Sequence, residues 1–456
     1  MQTEVIVVFD IGKSNKKILL FNSEYRVIYE EDSVFEEILD DDQFPCDDIE
    51  KIEKWIFESL LSILKSEKYK VLGINFSTYG ATLVYLDENK KRLTPVYNYL
   101  KPMDEDVLEG FYLKYGGVKE FSRITASPAL GMLNSGLQIL WLKNKKTQIF
   151  NQVKHILHFP QYLSFLFTGK MVSEYTSIGC HTAMWNFDKK KYHHWLKDEK
   201  IILPEAQNNS HLFPIEYHGF ETRIGIGVHD SSASLVPYLM GRKEKFILIS
   251  TGTWCVFMNP FNEEPLTDAQ LSKDTLCYLS IEQKQVKSSR LFLGHIHKTY
   301  EKILSSHFGV EVNTYKSIKY IPEIITKILQ RASPRAFFKN GIPENNIDND
   351  VDLNNFKTYE EVYHQFMFDL IEMCFEPLEM IKNKVDNIKT IYISGGFAKN
   401  DLFIKLLAQR NPDKKVYTSE INNSSALGAA MIIGKEVFNN QSMFTDLGIN
   451  EVKHEL

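Results

Sequence analysis

Val5-Ile6-Val7-Val8-Phe9-Asp10-Ile11-Gly12-Lys13-Ser14-Asn15-Lys16-Lys17-Ile18-Leu19-Leu20-Phe21-Asn22 decides the fold. Val5–Phe9 is a continuous apolar run of strand length, and 17–22 is a second. Between them lies a polar, turn-forming stretch from Asp10 to Lys16. Two such runs joined by a short polar loop predict a β-hairpin. Downstream, Lys51 to Leu64 carries Ile52, Ile56, Leu60, Leu61 and Leu64 at helical spacing. Val71–Phe76 and Thr82–Leu86 read again as strands. Hairpin, helix and further strand in this order indicate a mixed α/β protein.

The same logic extends along the chain. Residues 100–220 read as mostly helical, with clear segments at Leu133–Asn144 and Pro160–Thr168. Ile224-Gly-Ile-Gly-Val228 then runs into His229-Asp230 and the small residues Ser231–Ser234. Phe246–Ser250 is a buried-type strand ending in Thr251-Gly252-Thr253-Trp254. Thr390–Ser394 is another, stopping at Gly395-Gly396, and a last helix begins near Ser425. A strand followed by glycine therefore recurs in both halves. Two similarly built domains are expected, 1–238 and 239–456. Residues 340–355 read as a surface loop, and the tail after Phe438 as loosely held.

Composition narrows the class. The 456 residues, 43% hydrophobic and 25% charged, exclude a disordered or fibrous chain. A formal net charge of −6 offers none of the basic field that nucleic-acid or anionic-membrane binders carry. Five cysteines at irregular spacing include no CxxC pair, so they read as small hydrophobes in a reducing compartment. The first residues lack a basic n-region and no run of about 18 apolar residues occurs. A cytoplasmic location is expected. Neither nucleic acid nor membrane is expected as a partner, and a homodimer is admitted.

Gly12-Lys13-Ser14 invites a P-loop reading, but that motif needs glycine at position 7, which is a strand valine, and a helix after the loop. A hairpin turn whose backbone N–H groups, hydroxyl and lysines face a polyphosphate fits better, with Asp10 directing a hydrated Mg²⁺. An ordinary polar turn is the plainer alternative. Thr251-Gly252-Thr253 and Gly395-Gly396 allow close backbone approach, to an anion and to a flat ligand respectively. Either could also be a simple turn. Asp230 suits a helix N-cap and equally a general base that takes a proton from an attacking hydroxyl; the two roles are compatible. Tyr79, Tyr99 and Trp254 are candidates to stack on a sugar face. His193-His194 and His295/His297 lack metal-ligand spacing and read as surface or core histidines.

In order, these pieces resemble the FGGY family of carbohydrate kinases, within the actin/hexokinase-like (ribonuclease H-like) ATPase fold. Asp10 to Lys17 resembles the first phosphate motif, Gly227-Val-His-Asp230 the catalytic segment, Ser250 to Trp254 the second phosphate motif, and Ser394 to Asn400 the adenosine motif. Asn134–Gln138, Trp141-Leu142 and Leu166–Gly169 resemble the N-terminal helical region, and Ser424–Ala430 the hinge helix. The resemblance implies two actin-like domains around a ligand cleft, and ATP with Mg²⁺ as cofactors. Asp230 would be the base, with Asp10 and Asp230 at the metal. Gly12, Lys13, Ser14, Lys17, Thr251, Gly252 and Thr253 would lie at the phosphates, and Gly395, Gly396 and Asn400 near adenosine. Tyr79, Gly80, Tyr99 and His229 would lie with Asp230 on the sugar side. His-Asp, Gly-Thr-Trp, Ser289–Leu293 and Pro334–Phe338 look most like the rhamnulokinase branch, with L-fuculokinase next. Lys13 stands where most members have Thr, and 97–102 lacks the Arg and Asp of the usual sugar-contacting loop. The implied reaction is phosphorylation of a 6-deoxyketohexose, or next a ketopentose. A non-catalytic sugar- or ATP-binding regulator and a chaperone-like ATPase are the rival classes.

Overall fold

In the computed structural model, residues 2–385, 387–439 and 448–453 are described. Two seven-stranded sheets organise them. The first holds β1 (Thr3–Ile11), β2 (Lys16–Phe21), β3 (Val27–Ser33), β4 (Tyr69–Thr78), β5 (Leu212–Tyr217), β6 (Phe220–Gly225) and β7 (Val228–His229), in the order β5-β6-β4-β1-β2-β3 with β7 also on β4. The second holds β8 (Phe246–Thr251), β9 (Cys255–Asn259), β10 (Leu276–Leu279), β11 (Gln285–Leu291), β12 (Thr390–Gly395), β13 (Lys415–Ser419) and β14 (Ile449–Glu451), ordered β10-β11-β9-β8-β12-β13-β14. In each sheet an antiparallel run turns parallel at its centre: β1 pairs parallel with β4, and β8 with β12.

The expected hairpin is present, with a turn shortened to Gly12–Asn15 because Asp10 and Ile11 pair with Lys17 and Lys16. The continuous apolar run in β1 has a physical cause. Val5, Val7, Phe9 and Ile11 face a core that includes α1 (Ile49–Leu64) and α2 (Phe159–Thr168), while Ile6 and Val8 face the opposite core. A strand covered on both faces has no polar alternation to show. The opposite core is formed by α3 (Asp230–Gly241) and α7 (Ser424–Phe438); between them in sequence lie α4 (Leu293–Phe308), α5 (Tyr359–Ile381) and α6 (Asp401–Gln409), which pack on the second sheet. A Cβ on Gly428 would sit 1.9 Å from the Ala233 carbonyl oxygen, so only glycine lets α7 cross α3 so closely.

Three expectations are corrected. Residues 100–220 are less helical than their composition suggests, because short paired segments such as Leu83–Leu86 with His155–His158 and Trp185–Asn186 with Lys191–Tyr192 interleave with the helices. Asp230 is the first residue of α3 rather than its N-cap, which is His229. Of the tail read as loose, residues 440–447 and 454–456 lie outside the described residues, but β14 pairs with β13 and Val452 is buried in the core. No helix among the described residues is long and apolar enough to cross a membrane.

Candidate active site

Ser231 and Ser234, just after the first sheet's strand β7, share one cavity with Ser250 at the end of β8, so parallel strands of the two sheets end near each other. Asp10, near the end of β1, sits in register with Ser77 of β4, and β7 places Val228 and His229 beside Ser77 and Thr78. Asp230 follows at once. The C-terminal edge of parallel strands is where α/β sheets bind ligands, since loops diverge there and free backbone groups point outward. Opposite, Thr251 of β8 pairs with Gly395 of β12, bringing both glycine-containing loops to the corresponding edge of the second sheet.

The first sheet supplies the acids. Asp10 Oδ2 accepts a 2.7 Å hydrogen bond from Ser425 Oγ at the start of α7. Burial pushes its carboxyl up to about 6, and the nearby negative charge of Asp230 adds to the rise. Burial likewise pushes Asp230 up to about 6, against the opposing pull of its hydrogen bond from the Ser231 N–H at 2.6 Å. Its side chain keeps about a third of its surface open (33%), so a ligand can reach it. His229 Nε2 lies 3.2 Å from Asp230 Oδ1, and Nδ1 lies 3.3 Å from Ser232 Oγ. Burial holds this imidazole down at about 4, so it is neutral near pH 7.

The lysines of the first turn are committed elsewhere. Lys13 Nζ donates to Glu37 Oε1 (2.7 Å) and Asp47 Oδ2 (2.9 Å). Lys17 Nζ donates to Glu30 Oε1 (2.7 Å) and Asn423 Oδ1 (3.2 Å), and pairs with Asp32. Lys16, buried, donates to the Lys13 carbonyl and to Asp47 Oδ1. The Tyr79 hydroxyl also donates to Asp47, at 2.7 Å. Burial works to raise the Asp47 carboxyl, but the Tyr79 hydrogen bond and the two lysines outweigh it and hold it below the usual range. Gly12 is half-buried and Ser14 exposed at the turn. The ring of Tyr79 meets Tyr99 edge-on at 6.0 Å. Gly80 lies against His229: a Cβ there would come within 2.9 Å of the imidazole.

The second sheet supplies little charge. Gly252, Thr253 and Gly396 are exposed, and nothing lies within 4 Å of a Cβ added at Gly396. Gly395 has φ +84° and would clash with the Thr251 carbonyl if it carried a side chain. The Thr251 hydroxyl donates to the Ser394 carbonyl and accepts from the Phe397 N–H at 3.0 Å. It therefore straps two strand ends together. Asn400 caps α6 through Oδ1 and donates to the Tyr363 hydroxyl at 2.8 Å. Trp254 is exposed, tilted against Phe292 with the Arg290 guanidinium over its ring at 4.7 Å.

Glu37, Asp47, Lys16 and Ser77 were not legible as site residues, since nothing in their local sequence marks them. Two carboxylates at about 6 face one space while the adjacent lysines are paired to other acids. That donor set fits a divalent cation, which would relieve the repulsion between them.

Two sheets of matching topology, with a cleft at their strand ends and helices α3 and α7 crossing between them, define an actin-like two-domain ATPase fold. The N-terminal-domain profile of the FGGY family of carbohydrate kinases matches residues 5–212, and the carbohydrate kinase FGGY C-terminal-domain profile matches 243–441. The chain belongs to that family. A rhamnulokinase from Oceanobacillus iheyensis is 26% identical over 265 residues, which is 54% of this chain and 54% of the relative. One from Halalkalibacterium halodurans is 27% identical over 221 residues, 44% of this chain and 46% of the relative. The chain thus spans about half the length of the curated relatives it matches. Among solved structures, a carbohydrate kinase from Novosphingobium aromaticivorans superposes with TM-score 0.78 at 20% identity, covering 98% of this chain and 96% of the other. A ligand-bound xylulose kinase from Lactobacillus acidophilus gives 0.76 at 19% identity, covering 99% and 93%.

Proposed function

We propose that the chain transfers the γ-phosphoryl group of ATP to a primary hydroxyl of a ketose, with L-rhamnulose- or L-fuculose-like 6-deoxyketoses favoured. The observation that carries this reading is the pairing of Asp10 and Asp230 at one strand edge opposite two glycine loops. Phosphoryl transfer asks for this division: a base for the acceptor hydroxyl on one side, uncharged close-approach backbone for the nucleotide on the other.

Asp230 accepts the proton of the acceptor hydroxyl as that oxygen bonds to the γ-phosphorus and ADP departs. His229 packs beside the Asp230 carboxylate, in the place that the missing side chain of Gly80 leaves for its ring. Asp10, with Asp230, is the carboxylate that would hold Mg²⁺, whose chemistry when bound is to neutralise charge on the transferring phosphoryl oxygens. The backbone N–H groups of 12–14 and of Thr253 would meet the phosphates, the Gly252 N–H being taken by the Trp254 carbonyl at 2.9 Å, and Gly395-Gly396 leaves an open shelf for the adenine. We assign Lys13, Tyr79 and Tyr99 to the acceptor side, because Lys13 is tied to Asp47 and Tyr79. We place the domain division at 238/239, in the last turn of α3. A ketopentose acceptor is the second reading, favoured by the xylulose kinase structure among the structural neighbours.

The test is ADP release from ATP–Mg²⁺ against a panel of ketoses and polyols. A kinase shows turnover that depends on one acceptor class. Nucleotide turnover indifferent to every sugar would mark a plain ATPase, and no turnover with retained sugar binding would mark a regulator; either overturns the reading.

A further inference from the structure

Glu174 is a fully buried carboxyl that the reaction above does not use. It ends the two-residue strand Ser173–Glu174, which pairs with Ala206–Gln207, and it caps the one-turn helix Tyr175–Ile178. Its Oε2 accepts the Thr176 N–H at 2.9 Å and the Ser177 N–H at 3.2 Å. Capping alone does not account for this residue. Ser, Thr, Asp and Asn cap a helix with a shorter side chain, and a single turn gains less from a cap than burying a carboxyl costs.

The further use is a hydrogen-bonded strut to the catalytic segment. The Thr176 hydroxyl, also fully buried, donates to Glu174 Oε2. A hydroxyl has one hydrogen, so with that hydrogen committed its oxygen can only accept. It accepts the His229 N–H at 3.0 Å. The chain of bonds therefore runs one way, from the His229 peptide through Thr176 to Glu174. Burial pushes the Glu174 carboxyl up to about 7, but Oε2 accepts whether or not Oε1 carries a proton, so the strut holds in both states.

Asp230 needs this support. Among the described residues, the hydrogen bonds its carboxylate accepts come from Ser231, its next neighbour, through the N–H at 2.6 Å and the hydroxyl at 3.2 Å. His229, the N-cap of α3, makes no side-chain capping bond. The place of the carboxylate is thus set by the backbone that leads into it. The peptide that carries the His229 N–H is the last of β7 before the chain turns into α3, and its orientation governs where the Asp230 side chain points.

We propose that Thr176 and Glu174 are positioning residues for the phosphoryl transfer: they fix the His229 peptide and, through it, the reach of Asp230 to the acceptor hydroxyl. The inference rests on the kinase reading with Asp230 as the base, and adds two residues more than fifty positions away in sequence. A base displaced by a fraction of an ångström still lets both substrates bind but reacts more slowly. Loss of the strut should therefore appear in kcat and spare both KM values.

The experiment compares Thr176→Val, Thr176→Ser and Glu174→Gln with wild type. Rates are expressed per ADP-binding site counted by calorimetry, so that loss of folded protein does not pass for loss of rate. Thr176→Val, close in shape, removes the hydroxyl and should lower kcat by about tenfold, with KM for ATP and for the ketose within about twofold. Thr176→Ala gives the same comparison should the valine variant fail to fold. Thr176→Ser keeps the hydroxyl and should recover kcat to within about twofold of wild type. Glu174→Gln keeps an acceptor oxygen for that hydroxyl and should lose no more than about threefold. The strut is overturned by a hydroxyl-free variant that keeps the wild-type kcat, by a loss that Thr176→Ser shares or Glu174→Gln exceeds, or by a matching rise in KM for ATP. Each of these leaves the kinase reading standing so long as wild type phosphorylates a ketose and Asp230→Asn does not. A wild type that phosphorylates no ketose, or an Asp230→Asn protein with full turnover, overturns the reading itself and the strut with it.

Discussion

The two sheets share an order of strands and differ in what stands at their ends. The first ends its parallel strands in Asp10, Ser77 and the His229-Asp230 pair; the second ends in Thr251-Gly252-Thr253 and Gly395-Gly396. Apolar runs buried on both faces build either sheet, and these say nothing about chemistry. The strand ends carry the chemistry, because only there do side chains leave the core. One edge gathers negative charge that a proton or a metal can use. The other removes side chains so that a ligand can touch backbone. The difference predicts which replacements harm turnover and which harm nucleotide affinity.

Asp230→Asn should have the largest effect: kcat falls by about 10²–10⁴, while ADP affinity changes little, because the variant removes the proposed proton acceptor and keeps the shape. The measurement is steady-state ADP release with calorimetric ADP titration. A variant that keeps turnover would break the division between the two edges. Gly395→Ala should do the opposite. Its φ of +84° and the Thr251 carbonyl, 1.9 Å from the added Cβ, force the β12 end to move. KM for ATP should rise by about 10-fold or more, with the acceptor KM nearly unmoved. Equal effects on both substrates would mean the two edges do not act separately.

Acid should separate them further. Asp230 is pushed up to about 6 by burial, so this carboxyl, the proposed base, is increasingly ionised as pH rises through 6. Below that value kcat/KM should fall by about tenfold or more per pH unit, Asp10 titrating in the same range, with a plateau above it. The stability sign is opposite. A carboxyl whose folded pKa exceeds its unfolded one contributes stability fully below about 3.9 and loses it as pH rises through 6. At pH 7 the ligand-free Asp230→Asn protein should therefore be more stable than wild type, by about 1 kcal/mol once solvent at this one-third-open side chain is allowed for. Chemical denaturation at pH 5 and pH 7 checks it, the gain being larger at pH 7. A flat activity profile between pH 5 and 7 would remove Asp230 as the titrating group.

Much of this was legible in the chain. The run Val5–Phe9, broken at Asp10, marked both the hairpin and the first acid, since a strand buried on both faces is uniformly apolar until it leaves the core. Asp230 was legible because glycines and small residues surround it. Three features were not. Most strand segments within 100–220, such as His155–His158 and Trp185–Asn186, are only two to four residues long, held by tertiary contacts rather than by any local pattern. The Thr251 hydroxyl resembles a phosphate ligand in sequence but turns inward to the Ser394 carbonyl, a partner 143 residues away. Lys16, almost fully buried, reads as a solvated lysine until Asp47 is placed beside it.

Lys13 gives the finest test of the comparison. Its position in the first turn suggests a cation for the phosphates, and the resemblance to the family's first phosphate motif strengthens that expectation. Its amine instead bridges Glu37 and Asp47, and Asp47 in turn receives Tyr79 and Lys16. Removing the amine by Lys13→Met leaves Asp47 with two of its three partners, so the loss should be modest, on the order of 1 kcal/mol. That loss should fall on the acceptor, because Tyr79 and its neighbour Tyr99 move with Asp47. KM for the ketose should rise by about threefold to fivefold, while KM for ATP stays within about twofold. If ATP affinity drops and the acceptor is unaffected, Lys13 leaves its carboxylates when the nucleotide binds, and the first edge then carries positive as well as negative charge to the reaction.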